Sequence, residues 1–99
     1  MLYAFISEDK VGTHSRRMEF RPAHLERLKK LQEAGKLVLA GPHPAIDNED
    51  PGDKGFTGSL IIAEFDSLEL ARIWGQEDPY LKEGVYEKLV VKPFRRVLL

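Results

Sequence analysis

The chain has 99 residues and no cysteine. It therefore has no disulfide, no thiol nucleophile and no thiolate ligand for zinc, and it is compatible with a reducing cytoplasm, the location that we predict. It also lacks a run of about 20 apolar residues, the length that a membrane-spanning helix needs. The apolar start at residues 1–7 has no basic segment before it and no cleavage site, so it predicts a strand and not a signal peptide.

An excess of charge of either sign is also absent. Fifteen Lys and Arg residues face sixteen Asp and Glu residues, and the formal net charge is −1. No global field then attracts nucleic acid or anionic lipid, and neither is predicted as a partner. Hydrophobic residues at 42% and charged residues at 31% are typical of a folded globular protein. The length predicts one domain over residues 1–99, small enough for self-association to add useful stability.

Hydrophobic pattern and turn residues predict six main elements in the order β-α-β-β-α-β. The first helix is predicted to begin at Pro22 and to end at Gly35, because proline suits a first helical turn and glycine a stop. Asp66 or Ser67 is predicted to cap the second helix, which ends before Pro79. The strands are predicted at residues 2–7, 36–42, 58–65 and 86–97, with one further helical turn at 80–84.

Proline distinguishes edge strands from central strands, because it cannot donate a hydrogen bond to a sheet. Pro42 ends the second strand and Pro93 lies within the fourth, whereas the first and third strands contain none. The first and third strands are therefore predicted to be central. With right-handed crossovers this gives the order 4-1-3-2, an α+β ferredoxin-like antiparallel sheet with both helices on one face.

The two central strands are apolar on both of their alternating faces. The first carries Ile6 on one face and Phe5 on the other, and the third carries Ile62 and Ile61 in the same way. A strand with two apolar faces is typical of a sheet that is covered on both sides. We therefore predict a homodimer in which the open sheet faces of two copies pack together.

The predicted topology collects most polar groups at one edge of the sheet. That edge joins the end of strand one, the start of helix one, the end of strand two, the start of strand three and the end of helix two. The groups predicted there are Ser7, Asp9, Arg21, His24, Gly41, Pro42, Ser59 and Asp78. We expect any functional site at this edge.

His24 and Asp78 are the candidate catalytic residues at this edge. Imidazole transfers protons near neutral pH, and His24 is expected at the third position of the first helix. Asp78, expected at the end of the second helix, would oppose the local helix dipole unless it paired with His24. Such a pair would fix the tautomer for acid-base catalysis. The alternatives are a half-buried structural histidine and a simple turn residue before proline.

Three arginines precede or begin the predicted first helix, and they form a candidate anion site. Arg16, Arg17 and Arg21 would lie near the helix N-terminal amides, with Arg21 in the N-cap position. The alternative is a solvated basic run. Ser59 could bond a substrate, whereas its surroundings do not resemble a nucleophile elbow. Arg17, Arg21, Gly41, Pro42 and Ser59 are accordingly predicted to line a substrate site.

No metal or phosphate motif is present. His14 and His43 with Asp47 or Asp50 have no recognised ligand spacing, and the glycines do not form a phosphate-binding fingerprint. We predict neither a metal nor a cofactor. The segment 43–55 is longer than a usual hairpin loop and is interpreted as a lid or a subunit contact.

An ordered set of short blocks resembles the YciI-like, or YCII-related, family. The blocks are Arg-Pro-Ala-His at 21–24, Ala-Gly-Pro at 40–42, Gly-Phe-Thr-Gly-Ser at 55–59, Asp-Pro-Tyr at 78–80, Gly-Val-Tyr at 84–86 and Val-Lys-Pro-Phe at 91–94. The resemblance implies a dimeric ferredoxin-like fold with a cleft centred on a histidine and an aspartate, which match His24 and Asp78. A related dehydrochlorinase with this domain implies proton-transfer or elimination chemistry on a small cyclic anion.

Two functions fit these observations. The first is a cofactor-free lyase or isomerase in which His24 moves a proton, Asp78 orients it, and Arg17 or Arg21 with Ser59 holds an anionic oxygen. The second is a non-enzymatic domain that binds a small metabolite, or regulates a partner, through the same cleft. Single-stranded RNA binding on the open sheet is disfavoured, because it requires exposed aromatic side chains with basic neighbours.

Overall fold

The computed structural model describes residues 1–98 and contains four strands and three helices within them. The elements are β1 (Leu2–Asp9), α1 (His14–Glu33), β2 (Leu37–Pro44), β3 (Phe56–Glu64), α2 (Leu68–Gln76), α3 (Pro79–Lys82) and β4 (Tyr86–Phe94), with a 3₁₀ turn at Gly52–Lys54. The fourth strand is shorter than predicted, because its pairing with β1 ends at Phe94 opposite Leu2. No helix among the described residues is long and apolar enough to cross a bilayer.

The four strands form one antiparallel sheet in the order β2-β3-β1-β4. This confirms the predicted order, with β1 and β3 in the centre and the proline-containing strands at the edges. In the β1–β3 register, Phe5 lies opposite Ile61 and Ser7 lies opposite Ser59. These inward-facing pairs place an apolar pair in the core and a serine pair close to the polar edge.

The helices cover one face of the sheet and form the core with it. Phe5 at the centre of β1 makes edge-to-face contacts with Phe65 and Trp74, at ring-centroid distances of 5.6 and 5.1 Å. Aromatic packing of this kind stabilises a core beyond the area that it buries. The buried members of the cluster are Tyr3, Phe5, Leu28, Leu31, Ile61, Ala63 and Ala71.

Helix α1 begins at His14, and the prediction that it begins at Pro22 was wrong. Pro22 lies inside the helix, and Thr13 occupies the N-cap position that Arg21 was expected to hold. Tertiary packing decides this, because Arg17 in the additional first half of α1 is buried and lies over the ring of Tyr80 in α3 at 4.7 Å. His24 consequently lies in the middle of α1 and not in its first turn.

Asp78 has a different structural role from the one predicted. Helix α2 is capped by Ser67, whose side chain accepts a hydrogen bond from the Leu70 amide, and it ends at Gln76. Asp78 is the N-cap of the short helix α3, and its carboxylate accepts a hydrogen bond of 2.9 Å from the Tyr80 amide. The carboxylate therefore stabilises a helix start instead of opposing a helix end.

The β2–β3 hairpin extends further than predicted on both strands. Pro44 still pairs with Phe56, so the connecting segment is reduced to residues 45–55. The Asn48 side chain accepts a hydrogen bond from the Asp50 amide, and the Asp50 side chain accepts one from Gly52. The role of this loop as a lid or a subunit contact stays a prediction.

Candidate active site between helix α1 and strand β2

His24 and Asp78 meet at the centre of the candidate site. His24 Nδ1 lies 3.0 Å from each carboxylate oxygen of Asp78, and the two residues are 7% and 3% exposed. An ionised carboxylate only accepts hydrogen bonds, so this contact places a proton on Nδ1. The other ring nitrogen, Nε2, has no hydrogen-bond partner within residues 1–98, and the side chain lines an open cavity. The ring is thereby oriented for proton transfer at Nε2.

Tyr80 fixes the plane of the His24 ring. The two rings stack with centroids 4.0 Å apart and planes 11° from parallel. Helix α3 makes this contact possible, because its N-cap Asp78 and its residue Tyr80 are two positions apart and both reach the imidazole. Burial raises the pKa of Tyr80, although the nearby cations Arg17 and Arg21 partly oppose the rise. Tyr80 was not among the predicted site residues, although the Asp-Pro-Tyr block at 78–80 contains it.

Arg17 is a buried cation whose charge is matched by Asp9. Its Nε and Nη2 atoms donate hydrogen bonds of 2.8 and 3.1 Å to the two Asp9 oxygens, and Nη2 also donates one of 2.9 Å to Ser59 Oγ. Burial alone lowers the pKa of Arg17, but hydrogen bonding to Asp9 and its charge outweigh that effect, and the net pKa is raised. These hydrogen bonds use Nε and Nη2, and the guanidinium also lies over the Tyr80 ring at 4.7 Å. A contact between Arg17 and a ligand stays a prediction.

The position of Ser59 depends on the glycine before it. Gly58 pairs with Glu8, and a Cβ at Gly58 would overlap the Ser7 carbonyl group. Only glycine allows β1 and β3 to approach this closely. Ser7 in turn accepts a hydrogen bond of 3.0 Å from the Ser59 amide. The Ser59 hydroxyl is therefore held between the strand pair and Arg17.

The cavity beside His24 has a volume of about 510 Å³. Six of the seven predicted site residues line it, and they are Arg17, Arg21, His24, Gly41, Pro42 and Ser59. The seventh, Asp78, lies behind the imidazole of His24. Arg21 is one helical turn beyond Arg17 and is exposed at the rim. Arg16 points elsewhere and donates a hydrogen bond of 3.1 Å to the Glu83 carbonyl oxygen. Their roles in binding stay predictions.

Tyr86 is a second aromatic residue near the site that was not predicted from the sequence. Its hydroxyl is buried beside Ser7 and Ser59 in a cavity of about 10 Å³ that Asp78 also lines, but it satisfies hydrogen-bond geometry with none of them. Burial raises the pKa of Tyr86 to about 12, and the charge of Asp78 adds to the rise. Its ring packs edge to face on Tyr80 at 5.5 Å. Tyr86 thus supports the residue that orients His24.

The histidines and aspartates considered as metal ligands lie away from this cavity. His14 packs against Gly55, and His43 lies at the end of β2 facing a separate shallow pocket. Across residues 1–98 the acidic and histidine side chains form no group of three that could hold a metal ion.

Comparison with solved structures gives a neighbour with a similar fold. A 5-chloro-2-hydroxyhydroquinone dehydrochlorinase, TftG from Burkholderia phenoliruptrix, superposes with a TM-score of 0.84 and is 27% identical, with 96% of this chain and 94% of that chain covered. That structure is a complex with 2,5-dihydroxybenzoquinone. The likeness agrees with the ferredoxin-like α+β fold described above.

Comparison of sequences identifies the family. Protein YciI of Escherichia coli is 53% identical over 97 residues, which cover 98% of this chain and 99% of that protein. A Haemophilus influenzae protein is 46% identical over the same length, with the same shares covered. The family described as the YCII-related domain matches residues 1–95. The predicted resemblance is confirmed, and this chain belongs to the YCII-related domain family.

Proposed function

We propose that this protein is an acid-base enzyme, a lyase or isomerase, that acts on a small cyclic anion. The observation that carries the proposal is the His24–Asp78 contact of 3.0 Å at the wall of an open cavity. A histidine whose Nδ1 is held by a buried carboxylate presents a lone pair at Nε2, which is the arrangement of a general base. The likeness to TftG, a dehydrochlorinase with a bound quinone, supports the same reaction class.

The proposed step is a proton transfer at His24 Nε2. Nε2 takes a proton from a carbon or hydroxyl group of the ligand, and the imidazolium that forms is stabilised by Asp78. The electron pair of the broken bond moves into the ring of the ligand. It then either expels a leaving group as an anion, which is an elimination, or takes the proton back at another atom, which is an isomerisation. Protein side chains alone can carry this step.

The cationic groups at the cavity would hold the developing negative charge of the ligand. Arg21 is exposed at the rim and free to contact an anionic oxygen, while Arg17 keeps Ser59 in place through a hydrogen bond of 2.9 Å. Cations and hydroxyl groups placed where charge develops lower the barrier of such a step. Gly41 and Pro42 of β2 also line the cavity.

Solvent deuterium exchange tests the proposal. The protein is incubated in D₂O with a panel of hydroxyquinones and cyclic hydroxy acids, and the loss of ligand proton signals is followed by NMR. We expect His24→Gln to slow exchange by about 100-fold or more, since general acid-base groups contribute roughly 10²–10⁴-fold. His43→Gln, the same substitution outside the cavity, should exchange at the rate of the unmodified protein.

Asp78→Asn is the second variant in this experiment. An asparagine oxygen can still cap α3, but its amide group would donate to His24 Nδ1 and move the ring proton to Nε2. Exchange should therefore fall while the protein stays folded. Ligand binding that persists in every variant, with no exchange in the unmodified protein, would contradict the enzyme and favour the metabolite-binding domain.

We infer in addition that the protein is a homodimer through its open sheet face. Ile6 at the centre of that face is 38% exposed, and it lies opposite Leu60 on one neighbouring strand and Val90 on the other. An apolar strip across a sheet is typical of a surface that a second copy covers. The helices and the candidate active site lie on the other face.

A further inference from the structure

The cavity beside His24 extends well beyond the groups that the proposed chemistry uses. From the polar end it continues between α1 and β2 along an apolar surface, here called the side groove, that comprises Leu25, Leu28, Leu37, Val38 and Ile61. The whole cavity, at about 510 Å³, lies within the range of roughly 300–1,000 Å³ that is typical of sites for drug-sized ligands. A ligand consisting of one ring would leave the side groove empty.

The charges around the side groove have one sign. Arg21 and Lys29 are exposed at its rim, and no aspartate or glutamate lies among its described lining residues. Arg17 is already neutralised by Asp9. Arg21, Leu25, Leu28 and Lys29 follow helical spacing, so one stripe of α1 presents two cations with leucines between them. At 1.5 Å per residue the two cations are about 12 Å apart along the helix axis.

We propose that the side groove binds the apolar body of an amphipathic organic anion. The ligand class is an aromatic carboxylate or phenolate that bears an apolar substituent of several carbons. Its acidic end lies beside His24 and Arg21, and its substituent lies along Leu28, Leu37 and Val38. This placement of the acidic end rests on the proposed function, whereas the groove itself does not. The two rim cations favour an anion, and the leucines favour an apolar chain, over a sugar or a nucleotide.

A series of 4-alkylbenzoates, from benzoate to 4-octylbenzoate, tests the proposal by isothermal titration calorimetry on the intact protein. Each methylene group buried in the side groove should tighten binding by up to about fourfold. The affinity should rise over the first several carbons and then level off where the alkyl substituent extends beyond the side groove. Equal affinity for benzoate and 4-hexylbenzoate would overturn the proposal.

Two pairs of matched variants test whether the ligand binds in the side groove. Val38→Ser should weaken binding of 4-hexylbenzoate by about threefold or more and leave benzoate nearly unchanged, because only the alkyl chain is expected to reach Val38. Val11→Ser places the same substitution at a fully exposed position outside the groove and should have no effect. Lys29→Glu should weaken the whole series at low salt, whereas Lys30→Glu, next to it but outside the groove, should weaken it less. Equal effects within either pair would overturn the assignment.

The outcomes separate this proposal from the proposed function. If affinity still rises with alkyl chain length in His24→Gln, and the unmodified protein shows no deuterium exchange, the side-groove proposal stands and the proposed enzyme function is rejected. If deuterium exchange depends on His24 but affinity does not change with alkyl chain length, the proposed enzyme function stands and the side-groove proposal is rejected. Affinity that falls as the protein concentration rises would show that a second copy covers the groove, and would also reject it.

Discussion

At the scale of single residues, the two nitrogens of His24 have different surroundings. Nδ1 faces the buried carboxylate of Asp78, and Nε2 has no partner within residues 1–98. The sequence predicted the pairing of these two residues, because both were placed at one sheet edge by the order of elements. It could not predict the stacking of Tyr80 on the ring, which depends on the exact position of a four-residue helix.

The buried hydroxyl of Tyr86 should make the protein less stable at alkaline pH. The pKa of Tyr86 is about 12 in the folded protein, because of burial, against 10.0 for an ordinary tyrosine. Below pH 10 the hydroxyl is neutral in both the folded and the unfolded chain, and its contribution to folding stability is fully present. Between pH 10 and 12 the unfolded chain ionises first, so the folded state loses up to about 3 kcal/mol of stability.

Tyr86→Phe should remove this part of the alkaline loss. At pH 8 the variant should be as stable as the unmodified protein within about 1 kcal/mol, since the Tyr86 hydroxyl has no hydrogen-bond partner among residues 1–98. Denaturant unfolding from pH 8 to 12 measures both effects. Tyr80, whose pKa is also raised, should leave some alkaline dependence in the variant. Curves for the two proteins that stay parallel across this range would refute the prediction.

At the scale of elements, the start of helix α1 departs most from the sequence analysis. Pro22 is a local signal for a helix start, yet the helix runs through it from His14. The first half is held by tertiary contacts. Arg17 bonds Asp9 on β1, and Arg16 bonds the Glu83 carbonyl beyond α3. Local patterns cannot show such contacts, because their partners are distant in sequence.

Breaking the Asp9–Arg17 ion pair should lower the free energy of unfolding strongly, and removing both charges should restore most of it. Asp9→Asn leaves a buried guanidinium without its matching charge, and breaking a buried pair in this way costs about 3–5 kcal/mol. Asp9→Asn combined with Arg17→Met should recover most of that loss, because no buried charge then remains. Denaturant unfolding of the single and double variants measures the coupling. A stable Asp9→Asn single variant would show that the pair does not anchor α1 to β1.

At the scale of the whole molecule, one face of the sheet carries helices and the other carries an exposed apolar strip. The proposed homodimer predicts that light scattering gives twice the mass of the chain. Ile6→Lys places a charge at the centre of the strip and should yield a folded monomer. Val11→Lys, at a fully exposed position away from the sheet, should stay dimeric. A monomeric unmodified protein at high concentration would contradict the inferred dimer.

The amino-acid sequence by itself determined the element order, the central and edge strands and the sheet edge where His24 and Asp78 lie. These follow from local signals, namely hydrophobic periodicity, turn residues and the positions of Pro42 and Pro93. Only the tertiary structure decided that α1 begins at His14, that Asp9 neutralises Arg17, and that a groove opens between α1 and β2. Those features depend on how distant elements pack, and a pattern along one chain contains no distance between them.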